Sequence, residues 1–199
     1  TSRPWNFYIG DLSSTQGSFA GVVKYQCRTV HSAIHVEFNN GNKTFDAYTD
    51  SKGNYTVKAD AGNYTATITS DSLKEYQSAT VKDLFIESGS LLRMDEIELK
   101  DSVKPVLLVK NIDTLRTRNY NQTIYVRDLG AGIESVSASI DGEAKSLTCS
   151  VSEDSAVFNC ALDLKNLLDG DHKLEYNAKD KAGNVEKLEQ TITIMATKI

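Results

Sequence analysis

Along most of the chain apolar and polar residues alternate with a period of two, the spacing of a strand that buries one face. No long segment carries the 3.6-residue period of an amphipathic helix. The alternation predicts strands at residues 19–25, 33–38, 44–48, 55–59, 64–69, 79–86 and 91–99, and a second series at 106–110, 123–128, 133–140, 145–151, 156–162, 172–178 and 187–194. The clearest stretch runs from Asp46 to Ser70. There Asp50, Ser51, Lys52 and Gly53 form one turn cluster and Asp60 to Gly62 another, each followed by an Asn-Tyr-Thr triplet that opens a new alternating run, so the segment reads as a β-meander. Residues 162–168, with Leu162, Leu164, Leu167 and Leu168 ahead of Asp169, Gly170 and Asp171, can form one short helical turn, and a loop crossing the sandwich is the first expectation for their context.

Between the two series Lys100, Asp101, Ser102, Val103, Lys104 and Pro105 form a charged, proline-ended break, the expected domain boundary. About seven short strands on either side is the sandwich pattern. The expected fold is therefore all-β, with two tandem antiparallel β-sandwiches of Ig-like or prealbumin-like type at 17–102 and 103–199, behind an N-terminal extension at 1–16. That extension holds Trp5, Phe7, Tyr8 and Ile9 ahead of a small, polar tether. An aromatic terminal strand of this kind can pair with its own domain or complete the sheet of a neighbouring copy, and the second option turns the chain into a self-associating homopolymer. Both options stand on sequence alone.

Composition narrows the classes. Lys and Arg number 22 against 27 Asp and Glu, a net charge of −5 with the signs interspersed, so no basic stripe exists to neutralise phosphates and nucleic-acid binding is not expected. No apolar run approaches the roughly 20 residues of a spanning helix, so no membrane span is expected. The opening residues lack a basic n-region, an apolar core and an initiator Met, which gives the expectation of a processed start from which a secretion signal has been removed.

Cys149 and Cys160 flank the polar turn from Ser152 to Ser155, and a hairpin there places them on neighbouring strands within bridging reach, so a disulfide is expected. Two small buried hydrophobes are the other reading. Cys27 then has no partner; it is expected as a buried thiol at a strand end, with an intermolecular bridge as the alternative. Asn42, Asn54, Asn63 and Asn121 each begin an Asn-x-Thr triplet, four acceptors for N-linked glycans in an extracellular setting.

Catalytic signals are sparse. No G-x-S-x-G elbow, Gly-rich phosphate loop or Cys-x-x-Cys pair occurs, and the expectation is a protein that is not an enzyme. His31, His35 and His172 form no His-Glu-x-x-His motif and are expected at surfaces, strand edges and turns rather than on a metal. Asp163, Asp169, Asp171 and Asp180 can converge on a structural calcium ion at one end of the second sandwich. Their spacing fits no EF-hand loop, so turn capping and solvation are the first expectation, and no other cofactor is expected.

Residues from about 17 to 100 resemble the carboxypeptidase-regulatory-like and transthyretin-like β-sandwich family through Gly21 and Val22, the strand from Ala33 to Phe38, Thr49, Asp50, Gly53 and Tyr55, and the pair Gly62 and Tyr64. The related collagen-adhesin B-repeat carries a Lys to Asn crosslink assisted by an acid. Lys24 matches the lysine position, but Thr67 and Thr69 stand where the resemblance asks for the acid, so no crosslink is implied. Residues from about 103 to 194 resemble an extracellular bacterial-type Ig-like module through Asp128, Ala131, Gly132 and Ile133, then Val136, Ile140, Asp141 and Gly142, then Leu168, Asp169, Gly170 and His172, then Ala178, Asp180, Ala182, Gly183 and Asn184. Such modules imply spacers or adhesive stalks. The expectation is an extracellular, cell-surface structural protein, a subunit of a filament, pilus-like thread or adhesive stalk assembled by strand donation. The alternative is a carbohydrate- or protein-binding accessory region of a larger secreted enzyme or adhesin.

Overall fold

A computed structural model of the chain describes residues 15–196, and all the regular structure among them is β. The arm residues Trp5, Phe7, Tyr8 and Ile9 lie outside the described residues. The chain divides into two compact units, 1–100 and 101–199.

In the first unit β1 (Gln16–Tyr25), β4 (Asn54–Asp60), β7 (Leu91–Arg93) and β8 (Ile97–Leu99) form one sheet, and β2 (Ile34–Asn39), β3 (Thr44–Tyr48), β5 (Gly62–Ser70) and β6 (Ala79–Ile86) form the other in the order β3-β2-β5-β6. Alternation sorts the faces: Tyr55, Val57 and Ala59 of β4 point inward while Asn54, Thr56 and Lys58 face water. The inner faces meet in a core of Phe19, Val23, Ile34, Val36, Phe38, Ile68 and Ile86, all essentially inaccessible. Each such side chain contributes about 1.5–3 kcal/mol of burial. Phe19 of one sheet stacks on Phe38 of the other at 4.1 Å between centroids, with Tyr64 edge-on at 5.4 Å, an arrangement the ring quadrupoles favour.

The first strand lies in the interior of its sheet. β1 pairs antiparallel with β4 on one side, and on the other it runs parallel to β7 (Ser18 opposite Leu91) and then to β8 (Val23 opposite Ile97). The single strand expected at 91–99 is therefore two short ones. Between β5 and β6 the register slips after Tyr64–Leu84 to Ala66–Val81, and Asp83 takes up the extra residue with φ 57°, a β-bulge.

In the second unit β9 (Val106–Val109), β11 (Asn121–Arg127), β14 (Leu147–Val151) and β15 (Val157–Asp163) form the sheet β14-β15-β11-β9. The facing sheet is β10-β17-β16-β12-β13, from β10 (Thr114–Leu115), β12 (Ile133–Ile140), β13 (Glu143–Lys145), β16 (Gly170–Asp180) and β17 (Val185–Ile194). The strand expected at 145–151 splits at Ser146, because the chain leaves one sheet at Lys145 and joins the other at Leu147. β10, which alternation missed at two residues long, runs parallel to the end of β17.

Three local expectations are overturned. The run from 46 to 70 is not a meander, because β4 pairs with β1 in one sheet while β3 and β5 both pair with β2 in the other. Residues 162–168 are not helical: β15 continues through Asp163 opposite Asn121, Leu164 enters the core, and Asn166 at φ 64° reverses the chain, leaving Leu168 72% exposed. A lone helical turn gains too few hydrogen bonds to offset its nucleation, whereas extending β15 adds ladder bonds. Cys27 is exposed rather than buried, because β1 ends at Tyr25 and Cys27 sits in the following turn with φ 60°.

Cys149 and Cys160 stand directly opposite each other on β14 and β15 and are joined by a disulfide, with Cα atoms 4.0 Å apart.

Candidate functional site

The same turn lock occurs once in each unit, between β3 and β4, which belong to different sheets, and in the hairpin of β16 and β17. In Asp50-Ser51-Lys52-Gly53-Asn54 the Asp50 carboxylate accepts from the Asn54 backbone N–H (2.8 Å) and from Asn54 Nδ2 (2.9 Å), and Gly53 N donates back to Asp50 O (3.0 Å). In Asp180-Lys181-Ala182-Gly183-Asn184 the corresponding bonds are 2.8, 2.8 and 3.2 Å. Two bonds to the carboxylate and one to the same residue's carbonyl close the turn, and the glycine supplies the positive φ. The Asn54 side chain, followed by its backbone N–H, holds the Asp50 carboxyl below the usual carboxylate range.

The second lock is one corner of a larger knot. Carboxylate oxygens of Asp101, Asp128 and Asp180 lie within 4.8 Å of one another, and the residues are 6%, 3% and 0% exposed. Ionised carboxylates so close and so dry would repel strongly, and N–H groups aimed at their oxygens counter that. Ala131 N donates to Asp101 (2.6 Å), Gly132 N to Asp128 (2.9 Å) and Asn184 to both oxygens of Asp180, while Asn184 Nδ2 also reaches the Asp101 carbonyl at 3.3 Å. The all-oxygen donor set is of the kind hard divalent cations take. Its structural work is plain in any case: it ties the first residue of the unit to the β11–β12 and β16–β17 turns.

Of the four carboxylates offered as an alternative calcium cluster, only Asp180 joins this knot. Asp163 caps Lys165 N, Asp169 pairs with Arg118 at 2.7 Å, and Asp171 accepts from Thr193 Oγ1 at 2.6 Å. Asp101 and Asp128 escaped sequence reasoning because they are far apart along the chain, and only the strand pairings bring them together.

The histidines also serve turns and edges. His172 Nδ1 meets Asp141 Oδ2 at 2.7 Å and Nε2 meets the Leu168 carbonyl at 2.9 Å. Both partners are acceptors, so the ring is favoured as a cation donating from each nitrogen, and its pKa is raised, first by Asp141 and then by Leu168. His31 Nδ1 accepts from Tyr25 N (3.0 Å); burial, followed by the charge of Lys24, lowers its pKa. His35 stacks on Tyr48 at 4.8 Å. Lys24, the candidate crosslink lysine, instead pairs with Glu96 at 2.8 Å in a water-exposed position.

The remaining feature is a hollow of about 580 Å³ on the outer face of the first unit's four-stranded sheet. Glu37 and Asn39 on β2, Asn63, Thr65 and Thr67 on β5, and Asp83 at the bulge on β6 line it. Register explains the convergence: Glu37 lies opposite Thr67 and Asn39 opposite Thr65, while the bulge re-aims Asp83 toward the same place. The Asn40–Gly41 loop closes one end and is held by Asn40, whose Oδ1 accepts from Lys43 N at 2.8 Å and whose Nδ2 donates to Tyr64 OH at 3.3 Å. Among the described residues Glu37, Asn63, Thr65, Thr67 and Asp83 make no side-chain hydrogen bond to the protein. Phe85, paired opposite Asn63, is 55% exposed.

The four glycan acceptors Asn42, Asn54, Asn63 and Asn121 are all exposed. They differ in what a sugar would disturb. Asn42 stands in the β2–β3 loop, the Asn54 Nδ2 is engaged with Asp50, and Asn63 belongs to the hollow.

No protein-family model matches the chain, and no curated protein matches it. Solved structures similar to it share 10–15% identity. They include BcpA, the major pilin subunit of Bacillus cereus (14% identity, 92% of this chain and 69% of that one, TM-score 0.39). Latent PorU from Porphyromonas gingivalis is another (11%, 93% and 24%, TM-score 0.42), as is the endo-β-1,4-mannanase from Thermotoga petrophila (13%, 49% and 21%, TM-score 0.37). The chain thus spans about a fifth to two thirds of the length of these proteins.

Proposed function

We propose that the chain is an extracellular, non-enzymatic structural module, a tension-bearing segment of a cell-surface filament or adhesive stalk, built from a carboxypeptidase-regulatory-like sandwich and a bacterial-type Ig-like sandwich. The observation that carries this reading is the pairing of first and last strands in the first unit. The chain enters at the start of β1 and leaves at the end of β8, and these strands are parallel neighbours. Tension along the chain therefore pulls the two strands past each other and loads several hydrogen bonds at once, where an antiparallel end pairing would open them one by one. In the second unit β10 and β17 repeat the parallel arrangement near the exit, and the Asp101 knot anchors the entry. The disulfide fits an oxidising compartment, and N-linked sugars at exposed acceptors such as Asn42 and Asn121 would shield the surface. Copies would join through the arm of Trp5, Phe7, Tyr8 and Ile9, added as a strand to a neighbour's sheet edge. No cofactor is part of this role.

Single-molecule pulling tests the reading. Handles at the two chain ends should give a higher unfolding force for the first unit than handles at the N-terminus and Gly89, which peel β7 from β1 starting at one end. Equal forces would remove the load-bearing argument. For the arm, deleting residues 1–12 should leave soluble monomers in electron micrographs, and filaments that persist would exclude strand donation by it.

A further inference from the structure

The hollow on the first unit is chemically matched to a kind of ligand that a purely structural module does not need. We propose that it is a binding site for a neutral oligosaccharide of two or three residues. Its volume of about 580 Å³ falls within the roughly 300–1,000 Å³ of small-molecule sites. The lining is a set of hydrogen-bonding groups that the protein leaves unused: two carboxylates (Glu37, Asp83), two threonine hydroxyls (Thr65, Thr67) and the Asn63 amide.

A carboxylate only accepts, so the partner must donate. A hydroxyl and an amide do both, so the partner must offer both in quick succession. Adjacent sugar hydroxyls meet both demands. The two carboxylates disfavour sulfated, phosphorylated or uronic glycans, and nucleic acid with them. Phe85, exposed beside Asn63, supplies the apolar face on which the C–H side of a pyranose ring can rest. The floor is preorganised, because β2 and β5 are interior strands of the sheet and the Asn40 side chain pins the closing loop. A flat solvated sheet face would have no reason to bring an acid from a bulge toward an acid two strands away.

The test uses the full chain made without glycosylation, with chelator present. It is ¹⁵N-labelled and titrated to millimolar levels with cellotriose, mannotriose, maltotriose and tri-N-acetylchitotriose, and separately with a heparin tetrasaccharide. At least one neutral trisaccharide should give saturable shifts centred on Glu37, Asn63, Thr65, Thr67 and Asp83, and Glu37→Gln, Thr67→Val and Phe85→Ala should each weaken it about tenfold. All three positions face water, and dispersed spectra would show that the variants fold; should one fail, the other two still decide. No saturable shift with any of the four, shifts undiminished in the folded variants, or shifts with the heparin fragment alone would overturn the proposal. Loss of the site would leave the pulling experiment untouched, so the two readings fail separately.

Discussion

Replacing Gly53 and Gly183 by alanine separates two costs that usually arrive together. Both glycines occupy the fourth position of the same turn lock, with φ of 88° and 97°. An alanine at positive φ costs about 1–2 kcal/mol, partly offset by roughly 0.4–1 kcal/mol from the less flexible unfolded chain. At Gly183 nothing stands within 4 Å of the added methyl, so Gly183→Ala should destabilise the second unit by about 1 kcal/mol and no more. At Gly53 the methyl would sit 2.1 Å from the Val23 carbonyl oxygen and 3.4 Å from His31 Cβ. A backbone oxygen cannot swing aside as a side-chain tip can. The turn must move away from β1, losing the Val23 N to Gly53 O bond (2.9 Å), worth about 1 kcal/mol, on top of about 1–3 kcal/mol of overpacking. Gly53→Ala should therefore cost about 3–5 kcal/mol, roughly 2–4 more than its counterpart. Hydrogen exchange followed peptide by peptide under increasing urea reads each unit separately. Equal losses at the two sites would refute the reasoning, because the backbone term would then be the whole effect.

Two further outcomes are expected. Removing the disulfide with Cys149→Ala and Cys160→Ala frees a loop whose ends are 11 residues apart, a loss of roughly 3 kcal/mol that lowers the melting point of the second unit by roughly 12–24 °C, measured by calorimetry; a change of only a few degrees would contradict it. The His172–Asp141 pair should confer a pH window. The His172 pKa is raised, so its contribution is complete below the unfolded value and fades as pH rises through the folded one; the Asp141 pKa is lowered, mainly by His172, so its contribution fades as pH falls below the ordinary aspartate range. Urea midpoints of the wild type and His172→Gln should thus differ most near pH 5.5 and converge by pH 8.5, and a gap that widens with pH would reverse the assignment.

What could be read from the chain was what is local. The locks at Asp50 and Asp180, the disulfide hairpin and most strand positions depend on residues within a dozen places of each other, where turn chemistry and alternation leave few options. The knot and the hollow do not. Asp101, Asp128 and Asp180 meet only through the sandwich topology, and Glu37, Thr67 and Asp83 only through the register of three strands and a bulge. The misread segments share one cause. Leucines at 162–168 and the alternation across 91–99 and 145–151 fit a single element each, and neither propensity nor period reports where a chain interrupts a strand, changes sheets or enters a core.

The interior position of β1 also dictates the order in which the first unit can be completed. During synthesis β1 emerges before the other described strands of its unit, and β4 can cover one of its edges once residue 60 is out. Its other edge stays bare until residues 91–99 follow, since Val23 must wait for Ile97. The oldest strand is thus the last to be enclosed, and for that interval its row of unpaired amides offers any neighbouring nascent chain a template. A chaperone or translocation partner that shields residues 16–25 until the domain is finished would raise the yield of folded protein more than one acting on any later strand.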